Sequence, residues 1–354
     1  MLNRLRTILA ITAVLALIPA LRAQDSTATE NFDDYGDMDG KPAKTYCTQK
    51  VLYLSPTKLI SIGYEAQLPY TLTTPANSSV VVPGPEPTSP LPPLSPIGFA
   101  TATRGLRLAF NTPVVSRSNF ILNLGLTYWN SAYRIEDVVS WESGLVRNLE
   151  QNGLRSTGLN ATLFKPFDNK RFLIAQANAD LNGDYRRASD ISGRNMTYSA
   201  TAIYGWKKSD NLMWGLGVSR TYRAGALLYV PVLFYNRTFN QQWGVEVLLP
   251  ARASLRRNFG TKALLLLGYE LEGNAYYLSQ SGTYLRRGEL KPRITFERQI
   301  KDFVWLSVQA GLRYNWRFDA YRTQNPQGRD EKPVAENRLG NPLYFNVSLN
   351  LVSP

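Results

Sequence analysis

Apolar and polar positions alternate along this chain in short blocks, and the last block shows the pattern most plainly. Leu343, Phe345, Val347, Leu349 and Leu351 share one parity, with Tyr344, Asn346, Ser348 and Asn350 between them. Successive side chains of a strand point to opposite faces, so this spacing predicts a strand with one apolar and one polar side. The same reading applies to Leu306, Val308, Ala310, Leu312, Tyr314 and Trp316, separated by Ser307, Gln309, Gly311, Arg313 and Asn315. Leu122, Leu124 and Leu126 repeat it, as does the run from Leu173 to Leu181. From about Leu59 onward the blocks are about ten residues long, the length and period of transmembrane β-strands.

The breaks between blocks also alternate. Short polar turns are expected near Asn111 to Ser118, Pro166 to Lys170, Lys207 to Asn211, Asn236 to Gln241, Phe259 to Lys262 and Arg298 to Asp302. Several of the intervening links are longer. One runs from Pro69 to Pro96 with nine prolines and another from about Asp319 to Asn341 with mixed charges. Short turns on one side and longer links on the other are the asymmetry of outer-membrane barrels. Six short turns with both chain ends on the periplasmic side imply seven outer links and fourteen strands. The links near Arg223 and Pro250 are tight, and if one of those pairs is a single bent strand the count falls to twelve. The expected fold is therefore all-β: a closed antiparallel transmembrane β-barrel of about fourteen strands. Tyr128, Trp129, Trp206, Trp214, Trp243, Trp305 and Trp316 lie near strand ends, where interfacial girdles sit. In a soluble β-sandwich the same tryptophans would be core residues.

The start of the chain has a different texture. Arg4 and Arg6 precede the apolar stretch Ile8 to Ala20, and Ala23 supplies the small residue of a signal-peptide cleavage site. Pro19 and Arg22 end the apolar run short of the about 20 residues a membrane helix needs. Residues 1–23 are expected to be a signal peptide and residues 24–57 an acidic periplasmic leader, with six acids and no base between Gln24 and Gly40. Residues 58–354 are expected to form the barrel. The location that follows is the outer membrane of a Gram-negative bacterium.

The segments LPARASLRRNFGTKALLLLGYELE from Leu249 and KPRITFERQIKDFVWLSVQAGLRYN from Lys291 resemble outer-membrane β-barrel proteins of unknown function from Bacteroidota. The resemblance covers most of the chain from about Leu59. It implies fold and location, and it brings no catalytic or binding residues.

Charge and chemistry narrow the function. The chain has 40 Lys plus Arg against 27 Asp plus Glu, but the bases are scattered and no nucleic-acid motif accompanies them. Outer-membrane lipid and small solutes are the expected partners. One cysteine, Cys47, leaves stability to packing and sheet closure. There is no histidine, so the imidazole base of most hydrolytic barrels is missing and soft-metal sites cannot be assembled. No cofactor is expected and the chain does not read as an enzyme.

The candidate lumen-lining residues are the carboxylates Glu65, Glu246, Glu270, Glu272 and Glu297, interleaved with Arg107, Lys291, Arg293, Arg313 and Arg317. Two of the glutamates could in principle serve as acid and base of a glycosidase. The reading favoured here is a ladder of paired charges filling or lining the barrel. A pore or transporter for small solutes is the function expected. The alternative is a closed scaffold whose outer loops bind partners.

Overall fold

The computed structural model describes residues 50–74, 95–137, 144–325 and 332–353. The expected signal peptide, most of the expected acidic leader, Cys47 and the centre of the proline-rich link lie outside the described residues. Among the described residues, fourteen barrel strands follow one another around a closed antiparallel wall. They are β1 (Lys58–Gln67, resuming at Tyr70–Thr74), β2 (Ser95–Arg117), β3 (Phe120–Asp137), β4 (Leu154–Pro166), β5 (Arg171–Gly183), β6 (Met196–Ser209) and β7 (Leu212–Thr221). The wall continues through β8 (Leu228–Thr238), β9 (Trp243–Leu249), β10 (Arg252–Asn258), β11 (Ala263–Leu278) and β12 (Thr283–Lys301). It finishes with β13 (Val304–Leu312 and Tyr314–Tyr321) and β14 (Arg338–Leu339 and Leu343–Val352). A helix, α1 (Gly144–Gln151), sits in the link between β3 and β4. Closure comes from β1 pairing with β14, from Gln67↔Tyr344 to Lys58↔Val352.

The tight links near Arg223 and Pro250 each separate two full strands, so the count is fourteen and not twelve. Turns close where the sequence breaks, with one adjustment. β2 runs through Asn111 to Arg117, its register slipping between Pro113 and Val115, and the turn itself is Ser118–Asn119. The missing Pro113 donor is absorbed by that bulge.

The parity of each strand sets its two faces. In β14, Leu343, Phe345, Val347 and Leu349 are exposed while Tyr344, Asn346, Ser348 and Asn350 are buried. In β13, Leu306 and Val308 stand opposite Leu349 and Val347 on the same outer face. Ile62, Tyr64, Leu124, Leu126, Leu216 and Val218 extend the exposed apolar surface around the wall. Apolar outside and polar inside inverts a soluble protein and is what lipid requires of a barrel. Phe167, Phe239, Phe259 and Phe303 are exposed at four of the six short turns, forming an aromatic ring at that end of the barrel. Two of the expected girdle tryptophans point inward instead. Trp129 packs edge-on against Tyr276, and Trp305 is buried with Leu264 and Val352.

Candidate functional site

The interior is not one uniform tube. Toward the outer ends of the strands, β11 and β12 bend across the lumen until β11 reaches β5. Tyr277 bridges to Gly183, the Asp184 amide donates to the Tyr277 carbonyl at 3.3 Å, and Asn274 Nδ2 donates to Asn182 Oδ1 at 2.9 Å. A smaller ring of nine strands, β1 to β5 and β11 to β14, is thereby completed, and β6 to β10 are bypassed. The β7–β8 link rests on the bent hairpin. Gly225 (φ 75°) fits there because a Cβ would come within 2.6 Å of the Arg287 carbonyl oxygen.

The small ring is filled. Tyr133, Ile135, Leu149, Tyr276, Leu285 and Phe318 belong to one buried apolar cluster contributed by the wall and α1. The helix is pinned across the ring, with Asn148 Nδ2 donating to Asp184 Oδ2 at 2.7 Å. Asp184 also accepts from the Ser279 amide and hydroxyl, both within 3.1 Å.

Below that cluster lies a buried ion-pair network. Glu65 on β1 accepts from Arg107 Nε at 2.9 Å and from Lys291 Nζ at 3.3 Å, and it also pairs with Arg313. Glu272 on β11 takes Arg107 Nη2 at 3.0 Å and Lys291 Nζ at 2.8 Å. Arg107 belongs to β2, so its bond to Glu272 crosses the lumen. Glu289 joins Arg287 at 3.1 Å and Arg313, while Arg287 Nη1 donates to the Tyr133 hydroxyl at 3.3 Å and ties the charges to the apolar cluster. Arg293 holds Glu270 at 2.6 Å, and Lys58 holds Glu297 at 2.6 Å. Glu246 pairs with Arg256 at 3.3 Å, where Gly244 leaves room for the guanidinium.

Arg317 departs from the expected lumen set. The β12–β13 register skips a residue between Gly288↔Arg317 and Glu289↔Asn315, so parity is lost at a bulge. Arg317 therefore faces the β7–β8 link and donates to the Ala224 carbonyl at 3.4 Å. The turn at Asp302–Phe303 also sets a register different from one centred on residue 300. Arg293↔Gly311 and Leu290↔Tyr314 bracket Arg313, which falls level with Lys291 and reaches outward to Glu289.

On the short-turn side of this network the full fourteen-strand ring encloses a cavity of about 820 Å³. One wall is an uncharged ladder: Gln176 donates to Asn178 at 2.9 Å, Asn178 to Ser199 at 2.8 Å, and Thr201 meets Ser219 at 2.7 Å. The facing wall presents Arg293, Glu297 and Gln309. Lys50–Thr57 forms the floor as a bar across the mouth at the short-turn end. The Leu52 amide donates to the Asp210 carbonyl at 2.8 Å on one side of the barrel. The Ser55 amide and hydroxyl donate to Glu246 at 3.0 and 2.8 Å before the chain enters β1 on the other side. Val51 and Leu54 anchor the bar among Phe164, Phe172 and Met213. A second cavity of about 1210 Å³ lies around the bar.

Residues 141–351 match the family described as a domain of unknown function, DUF6268. The chain belongs to that family. No curated protein sequence matches the chain. Among solved structures it is similar to a FadL homologue from Pseudomonas aeruginosa, with TM-score 0.38 and 10% identity over 83% of this chain and 90% of that one. The toluene transporter TodX from Pseudomonas putida gives 0.35 and 9%, over 87% and 95%. Outer membrane phospholipase A from Escherichia coli gives 0.35 and 11%, over 85% and 95%. At these scores the likenesses carry no functional argument, and they include transporters and an enzyme alike.

Within this DUF6268 barrel the ion-pair cluster recruits Lys58, Arg256, Arg287 and Glu289 beyond the ten candidates. Parity pointed to two of them: Arg287 and Glu289 continue the inward series of Arg293 and Lys291 on β12. The helix was signalled by Leu145, Val146 and Leu149 at helical spacing. The bar was signalled only by Val51 and Leu54. Among the described residues no group of three His, Cys, Asp or Glu side chains could hold a metal ion.

Proposed function

We propose that this barrel is a small-solute transporter of the Gram-negative outer membrane, resting with its outer mouth closed. One observation carries the reading: a polar chamber inside the fourteen-strand ring lies beneath a ring that is packed shut. Its volume of about 820 Å³ falls within the roughly 300–1,000 Å³ of small-molecule sites. A barrel serving only as a scaffold has no need of a wall of aligned amides and hydroxyls lining a chamber of this size. The second reading, a closed scaffold with binding loops, is favoured by the filled outer ring that supports α1 and the outer links.

Solute efflux from liposomes loaded with purified full chain tests the proposal, alongside conductance in planar bilayers. Small polar solutes should leave faster than from protein-free liposomes, with low baseline conductance. Arg293→Ala should shift the reversal potential toward cations, since a positive charge is removed from the chamber wall. Efflux equal to protein-free liposomes, in the wild type and in a variant with a weakened bar, would leave the scaffold reading standing.

A further inference from the structure

The wall of the chamber has a notch. β9 and β10 are seven residues each, whereas β8 has 11 and β11 has 16. Pairing between β8 and β9 ends at Leu233↔Leu249, leaving Leu228–Val232 without a β9 partner. Pairing between β10 and β11 ends at Arg252↔Glu270, leaving Leu271 and everything beyond it without a β10 partner. The β7–β8 link closes the top of the gap, with Arg223 Nη1 donating to the Leu271 carbonyl at 3.0 Å. The Leu271 amide donates to the Ala251 carbonyl at 2.8 Å along the lower corner. What remains is a window framed by β8, the β9–β10 turn, β11 and the link. Val230, Pro250, Leu271 and Arg223 on its frame also line the chamber.

The window opens within the membrane's apolar layer. Phe239 and Phe259, exposed at the periplasmic ends of β9 and β10, mark the inner interface. At a rise of about 3.3 Å per residue and a tilt of about 40°, seven residues climb roughly 18 Å, short of an apolar band about 25 Å tall. The turn itself agrees: Leu248, Leu249, Pro250 and Ala251 are all apolar and line the chamber, the setting in which irregular backbone is tolerated at membrane depth.

We propose that this window admits amphipathic anions, with a carboxylate or phosphate head on a single apolar chain, between the lipid phase and the chamber. This rests on the transporter reading and adds the class of solute and its route. Leu228, Val230, Leu249 and Leu271 give the frame an apolar surface for the chain. Just inside it, Arg223, Arg252 and Arg293 gather around Glu270, at 3.7 Å for Arg223 and 2.6 Å for Arg293, with Arg252 level with Glu270 in the sheet. Asp180 on β5 is the second carboxylate within the field of Arg223. Three guanidiniums against two carboxylates leave a positive balance for an anionic head to neutralise.

The test uses the full chain in zwitterionic nanodiscs, with 11-(dansylamino)undecanoic acid as probe and empty discs as baseline. Saturable binding is expected, with the methyl ester of the same probe about tenfold weaker. Val230→Trp fills the window and should weaken binding of the acid by about tenfold, while Leu349→Trp on the lipid face of β14 should leave it unchanged. Leu228→Trp is a second blocking variant should Val230→Trp fail to fold, as judged by heat-modifiability on gels. Absence of saturable binding, equal binding of acid and ester, or equal binding in the blocked and control variants overturns the proposal. Polar-solute efflux separates the two readings. Efflux without probe binding removes the window alone, and probe binding without efflux of any solute removes transport.

Discussion

The two rings of this barrel are built on the same nine strands, β1 to β5 and β11 to β14, and behave oppositely. Where nine strands close through the contact of β11 with β5, the interior is narrow enough for side chains to fill, and Tyr133, Tyr276 and Leu285 fill it. Where all fourteen strands contribute, side chains cannot reach across, and a polar chamber of about 820 Å³ remains. Circumference, set by one long-range contact, decides whether the same inward-facing positions become core or cavity. The ion-pair network marks the boundary, its carboxylates satisfied by guanidiniums from neighbouring strands and from across the lumen.

The largest effect is expected at that boundary. Arg313 is fully buried and serves both Glu65 and Glu289. Arg313→Ala should cost about 3–5 kcal/mol in urea unfolding of the reconstituted barrel, because two buried carboxylates lose a partner. A loss below about 1 kcal/mol would mean that water reaches the network and that the rings are not separated there.

Next come paired substitutions, one in each ring. Leu285→Ala, in the packed ring, should cost about 2–5 kcal/mol. Asn178→Ala, in the chamber wall, should cost only about 0.5–1.5 kcal/mol, because water in the chamber replaces its hydrogen bonds. Equal losses would erase the distinction between core and chamber. A change smaller than that of Leu285→Ala is also expected at the floor. Ser55→Ala removes one of the two Ser55 donors to Glu246 and should cost about 0.5–1.5 kcal/mol while raising single-channel conductance. Unchanged conductance would show that the bar does not limit passage through the periplasmic mouth.

The smallest effect belongs to a periplasmic turn, outside both rings. The Lys170 amide, the Arg171 side chain and the Arg171 amide hold the Asp168 carboxyl below the ordinary carboxylate range. A depressed carboxyl contributes to stability above its unfolded pKa of about 3.9 and loses that contribution as pH falls through the lower folded value. In a pH titration by NMR, the Lys170 and Arg171 amide shifts should move with a midpoint below about 3.9. A midpoint at or above that value would detach the turn from its aspartate.

Much of the wall was legible because strand parity is a local property. The exposed leucines of β14 and the six turns follow from alternation and from turn residues a few positions apart, while the choice of fourteen strands over twelve needed the pairing on either side of the two tight links. Inward placement of Glu65, Lys291 and Glu297 follows from the same count. Parity fails where a single bulge intervenes, as at Arg317, because one extra residue reverses every face beyond it. Local pattern also identifies an inward side without saying what will meet it. Tyr133 and Ile135 on β3, with Tyr276 and Leu278 on β11, make the inner face apolar near the outer ends, but only their meeting turns this into a seal.

The sequence by itself therefore determined an all-β chain, a count of about fourteen strands with twelve left open, the apolar outer side of its most regular strands and the charged character of the interior. Those are consequences of a side-chain period of two and of composition. Tertiary structure alone decided that β11 leans on β5, that Arg107 meets Glu272 across the lumen, that Lys50–Thr57 bars the inner mouth, and that β9 and β10 leave a window. Each of these joins residues far apart in the chain, and their contact depends on the curvature of the closed sheet, which no local pattern encodes.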